Sequence, residues 1–353
     1  MAPTFVISTG RCGSTLVSRM LRVHPEVLSL SELFSTVRNR GYLDGAPDGA
    51  QFWRMLSEPD PVVDVMVAEG LKVSELIYPY GTGRFGAAEG VPAICHMTLP
   101  MLTDDPDALY DELAAEVPRW SARPIADHYR ALFAYLAERF DRPVVVERSG
   151  GSLEMLPRLR EQFPEARFVY LTRDGADSAL SMSRHAGFRL MLLGREAARI
   201  AGVASSNQLG ADQFRLVPAE LGRLLTTPSE LPNLMRREIP VTAFGALWSA
   251  MTCEGADELL RLPAETWMMT SYEALVADAP AELTRLAGFL GVPATGAWLT
   301  EAARLVDPGR RATSTPTNPR LLDALRRSCA PGTAVDATLA AAAGVTLAPA
   351  AAR

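Results

Sequence analysis

Lysine is nearly absent from this chain. Lys72 is the single one among 35 basic residues in 353. Any anion site must therefore use arginine, backbone amides and hydroxyls. The pattern GxxxxGK[ST] is missing too, because no lysine precedes Ser14 or Thr15 in "STGRCGST". An enzyme that transfers phosphate from ATP or GTP loses its main motif with it. The four cysteines, Cys12, Cys95, Cys253 and Cys329, lie far apart and show no CxxC spacing. That argues against a zinc site or a disulfide framework and fits a reducing compartment. No basic segment precedes the first apolar run, and "FVIS" is too short for a signal peptide or a membrane span. The chain thus reads as cytoplasmic, with no membrane partner. A net charge of −6 argues against a general nucleic-acid binder, while leaving room for an anionic small ligand at a few local cations. No repeat of fixed period is visible. No metal is implied, since a carboxylate pair such as Asp104–Asp105 reads as a solvated turn.

The segments that remain alternate between strand and helix patterns. Thr4–Ser8 reads as a buried strand, Thr9–Ser14 as a Gly-rich turn and Thr15–Val23 as a helix stopped by His24 and Pro25. "EVLSLSELFS" predicts a short strand or turn leading to a helix near Leu33. "RPVVVERSGG" and "EARFVYLTRDG" read as strands ending in turns, each followed by a helix. "ETWMMTSYEAL" and "APAELTRLAGFLGV" give a late strand–helix pair with Gly291 as the stop. Strands alternating with helices predict an α/β fold, a P-loop-like three-layer domain with a central parallel sheet flanked by helices. One domain over residues 1–330 is expected, with helical insertions near 40–142 and 187–261, and a frayed Ala-rich tail over 331–353.

Two loops carry chemistry. In "GRCGST", Gly10 and Gly13 permit a tight turn, and the amides of Gly13, Ser14 and Thr15 face outward at a helix start, where an anion is favoured. Ser14 and Thr15 add hydroxyls and Arg11 a fixed positive fork. The plainer alternative is a strand-to-helix turn capped by Ser14. In "RDGADSALS", Arg173 ends a strand and Ser181 lies eight residues on, so both can face one anion. The plainer alternative pairs Arg173 with Asp174 or Asp177.

Together these motifs resemble those of sulfotransferases that use 3′-phosphoadenosine-5′-phosphosulfate. "HPEVLSLSELF" is similar to the bacterial and tyrosylprotein branches, and "TSYEALVADAPAELTRLAGFLGV" to a late segment of the family. The resemblance covers the chain ends and Val144–His185. It implies that Arg11, Cys12, Gly13, Ser14 and Thr15 hold the 5′-phosphosulfate, that Arg173 and Ser181 hold the 3′-phosphate, and that Tyr272 lies near the adenine. Many relatives close a basic GxxGxxK loop on the 3′-phosphate. Here "DPGRRATSTPTNPR" stands instead, with Arg310 and Arg311 as stand-ins.

The implied reaction is in-line transfer of a sulfuryl group to a hydroxyl of a small or medium acceptor, releasing adenosine 3′,5′-bisphosphate. It needs charge stabilisation on the leaving phosphate, from Arg11 and the loop amides, and a base for the acceptor proton. Glu32 in "SELF" is the first candidate base, with a solvated helix-start glutamate as the alternative. His96, in the apolar "AICHMTLP", is the second, with a core histidine as the alternative. Arg148 in "VVVERSGG" stands where many relatives carry a lysine near the transferred group. It can stabilise the bridging oxygen, or form a surface pair with Glu147 or Glu154. His185 reads as a structural cap and His128 as a surface residue. An ATP-dependent kinase-like transferase and a non-catalytic bisphosphate-binding relative are the rival functions. The oligomeric state is open, a homodimer included.

Overall fold

The computed structural model describes residues 2–37, 45–71, 73, 75–86, 88–307 and 318–347. Five parallel strands form its sheet: β1 Thr4–Ile7, β2 Val27–Ser31, β3 Val144–Arg148, β4 Arg167–Thr172 and β5 Trp267–Ser271, in the order β2-β3-β1-β4-β5. β1 lies at the centre, with Thr4 beside Val146 on one side and Arg167 on the other. The strands are buried on both faces, as the apolar runs require of a parallel sheet. Side chains alternate between two cores. Phe5, Ile7, Leu28 and Leu30 face one, and Val6, Val27, Val146 and Val169 the other.

The first half of the chain adds helices α1 Ser14–Arg22, α2 Leu33–Val37, α3 Gly49–Ser57, α4 Pro61–Ala68, α5 Ala93–Leu102, α6 Pro106–Glu116 and α7 Ile125–Arg139. After β3 come α8 Leu156–Gln162, α9 Gly175–Met182, α10 Ala186–Ala201, α11 Ala211–Phe214, α12 Ala219–Thr226, α13 Leu231–Arg236 and α14 Val241–Leu260. The last are α15 Tyr272–Ala277, α16 Ala279–Leu290, α17 Gly296–Ala303 and α18 Pro319–Ala342. Each strand is followed by a helix that begins at the carboxyl edge of the sheet. That edge gathers the ends of all five strands, where ligands of such sheets bind. No described helix is long and apolar enough to cross a membrane.

Two expectations fail. The Ala-rich end is not frayed through its described part, because α18 runs to Ala342 and packs along α14. Gly332 lets it approach the Trp248 ring closely, and Asp336 is buried where it accepts from Tyr170 Oη at 2.7 Å and from the Thr172 hydroxyl. Small residues here mark close helix packing, which composition alone does not distinguish from a loose tail. His128 is not on the surface either. It is fully buried, stacked on Phe52, and its Nε2 lies 2.7 Å from the Pro47 carbonyl oxygen.

Candidate functional site at the carboxyl edge of the sheet

The loop after β1 turns on left-handed backbone at Gly10, Arg11 and Gly13, with φ of 79°, 57° and 84°. Gly13, not Ser14, stands at the helix cap position, and no side chain caps α1. The glycines do more than turn the chain. A Cβ at Gly10 would overlap the Phe188 ring, and one at Gly13 the Tyr272 ring. So α10 and α15 press aromatic rings onto the loop from two sides. Cys12 points the other way, into the core beneath α1, and burial pushes its thiol up. Only its backbone can serve a ligand.

The second motif meets the first directly. Arg11 Nε donates to Ser181 Oγ at 3.0 Å, and Arg173 Nη1 donates to the Arg11 carbonyl at 3.4 Å. Arg173 also lies over the Tyr272 ring, 4.6 Å from its centroid, and pairs with Asp177 at 3.2 Å. Arg11, Gly13, Arg173, Ser181 and Tyr272 are thus one cluster, drawn from the ends of β1, β4 and β5 and from α9. The Asp177 contact expected of a plain helix start is present as well; it uses Nη2 and leaves the stacking intact.

A second cluster joins the ends of β2 and β3. Arg148 is buried. Its Nε donates to Ser18 Oγ at 2.8 Å, and its two terminal nitrogens donate to Glu32 Oε1 and Ser31 Oγ. Burial pulls its pKa down to about 10, which still leaves it cationic at neutral pH. The alternative of a surface pair fails, since Glu154 pairs with Arg195 and Glu147 is held by Ser149. Glu32 is buried, not solvated. Its other oxygen accepts from the Gly150 amide at 2.8 Å. Its φ of 59° is left-handed, which is costly for a residue with a side chain and is concentrated at functional positions. Glu147 beside it is pushed up to about 7 by burial. Ser149 caps α2 by accepting from the Phe34 and Ser35 amides, both at 3.1 Å, so β3 fixes the corner that carries Glu32.

His96 sits in α5 with Tyr80 Oη 2.8 Å from Nδ1 and Asp64 3.9 Å from Nε2. It is a buried histidine with partners of its own. His185 does cap α10, its Nδ1 accepting from the Gly187 amide at 3.2 Å. Arg310 and Arg311 lie outside the described residues. Sequence reasoning missed Phe188, Ser18 and Ser31, and it missed Glu75, whose carboxylate pairs with Arg11 at 2.8 Å. Ser31 stands inside "SELF", but nothing in the sequence marks it, Ser18, Phe188 or Glu75 as neighbours of the two loops; only the fold brings them in.

Neither a family model nor a curated protein matches the sequence. Among solved structures, the chain is similar to the sulfotransferase domain from the curacin biosynthetic pathway, at 16% identity over 92% of this chain and 96% of that one, with a TM-score of 0.44. It is also similar to the sulfotransferase domain of the olefin synthase from Synechococcus PCC 7002, at 17% identity over 94% of each chain and a TM-score of 0.42. A sulfotransferase from Alicyclobacillus acidocaldarius aligns at 16% identity over 98% of this chain and 97% of that one, also with a TM-score of 0.42.

Proposed function

We propose that this protein is a sulfotransferase that moves a sulfuryl group from 3′-phosphoadenosine-5′-phosphosulfate to a hydroxyl of a small or medium acceptor. The contact between Arg11 and Ser181 at 3.0 Å carries this reading. It brings together two anion motifs 170 residues apart in sequence. The residues fit the cofactor chemically. Arg11 already holds a carboxylate, so the loop accepts an anion without any lysine.

Arg11, the loop amides and the Thr15 hydroxyl would hold the 5′-phosphosulfate. Arg173 and Ser181 would hold the 3′-phosphate, with Tyr272 beside the adenine. When bound, the donor supplies a sulfuryl group on a phosphate leaving group. The protein's part is to align it and to stabilise charge on that phosphate. Glu32 remains the first candidate base, supported by its left-handed backbone at the strand edge. Arg148 would hold the Glu32 carboxylate in place and supply positive potential beside the loop. His96 is turned toward Tyr80 and Asp64, which favours Glu32 over it. One observation favours the non-catalytic rival: both oxygens of Glu32 are taken, by Arg148 and the Gly150 amide.

A thermal-shift titration tests the donor assignment. Adenosine 3′,5′-bisphosphate should raise the melting temperature well above the effect of ATP at equal concentration. Equal stabilisation by the two would refute a dedicated 3′-phosphate site.

A further inference from the structure

The donor loop holds a carboxylate that comes from elsewhere in the chain. Glu75 lies between α4 and α5. Its neighbours Leu71, Val73 and Leu76 pack into the core formed by α10, α12 and α13. From there its carboxylate reaches Arg11 Nη1 at 2.8 Å, and Thr15 Oγ1 lies 3.5 Å from the same oxygen. The other oxygen lies 4.0 Å from His185 Nε2. Because His185 Nδ1 accepts from the Gly187 amide, the ring proton sits on Nε2, on the side of Glu75. Burial first, then the Arg11 charge, hold His185 well below the usual imidazole range. It is therefore a neutral donor around neutral pH. A guanidinium, a hydroxyl and an imidazole N–H, from the loop, α1 and the start of α10, converge on one anionic group. A terminal phosphate or sulfate oxygen asks for the same donors.

We propose that Glu75 is a built-in occupant of the donor-anion subsite formed by Arg11, Thr15 and His185, and that the donor binds by displacing it. The inference rests on the reading of this loop as the donor site. A phosphate on Arg11 Nη1 with Glu75 still in place would set like charges at contact distance, so one must leave. The pair is partly shielded, with Arg11 24% and Glu75 13% exposed, so its exchange weighs more than that of a surface pair. The segment that carries Glu75 packs against the second helical insertion through Leu71, Val73 and Leu76, so the position of both insertions bears on donor entry.

Calorimetric titration with adenosine 3′,5′-bisphosphate tests this without an acceptor. Glu75→Gln should bind roughly five- to twentyfold more tightly than the parent chain. Glu75→Asp, one methylene shorter, should also bind more tightly and serves if the glutamine variant folds poorly. Adenosine, which lacks the phosphates, should bind all three alike. Added salt should narrow the gap between parent and variant. Unchanged or weaker bisphosphate binding in both variants overturns the proposal. If no form binds the bisphosphate, the donor-site reading fails and this inference with it, an outcome distinct from binding without a gain.

Discussion

Replacing Arg148 by methionine should destabilise the fold far more than a single arginine usually does. Its side chain is 2% exposed and that of Glu32 6% exposed, so neither charge can turn to water. Methionine keeps most of the volume but removes the donors to Glu32, Ser31 and Ser18. The Glu32 carboxylate then keeps only the Gly150 amide. Breaking one side of a buried pair costs about 3–5 kcal/mol, because the remaining charge stays desolvated. Arg148→Met with Glu32→Gln removes both charges, and the double variant should recover at least about 2 kcal/mol of the summed single losses. Urea unfolding followed by circular dichroism measures all three. Additive losses, or an Arg148→Met loss below about 1 kcal/mol, would refute the buried pair.

Gly13→Ala should cost about 2 kcal/mol or more and weaken bisphosphate binding, because it adds left-handed strain and pushes Tyr272 off the loop; melting curves and titration read both effects. Burial raises Asp336 to about 6 in the fold, against an unfolded value near 3.8. The folded state therefore binds the extra proton between these values, so this group's contribution to stability falls as pH rises from about 4 to about 6 and stays low above. The parent chain should lose up to about 1.4 kcal/mol per pH unit relative to Asp336→Asn across that window, measured by urea unfolding. Burial raises all four thiols, but Cys12, Cys95 and Cys329 are buried and Cys253 is half-buried, so a thiol reagent should reach only Cys253 in the native protein. Mass spectrometry after brief labelling would expose any error.

Much of the sheet was legible because its strands are apolar runs bounded by turn residues, and buried parallel strands need such runs. The two anion motifs were legible because their residues keep fixed spacing within one strand–turn–helix unit. The resemblance assigned both to one cofactor, but their direct contact was not legible. The contact between Arg11 and Ser181 depends on β1 and β4 being neighbours, which no local pattern encodes. The sequence left Glu32 open between a base and a solvated helix-start residue, because its burial is set by β3, more than 100 residues later. Glu75 carried no signal, since its role comes from an irregular segment held by side chains of the second insertion. The C-terminal helix was misread for a related reason. Alanine and glycine describe both a loose tail and a tightly packed helix, and the partner surface on α14 decides between them.

The decisive measurement compares adenosine 3′,5′-bisphosphate with adenosine 5′-phosphate by calorimetry, in the parent chain and in Arg173→Ala with Ser181→Ala. The parent should prefer the bisphosphate by more than about tenfold, which is about 1.4 kcal/mol for the 3′-phosphate. The double variant should keep its fold and lose that preference. A parent chain that binds both nucleotides equally, or a variant that keeps the full preference, would contradict the joining of the two motifs into one cofactor site.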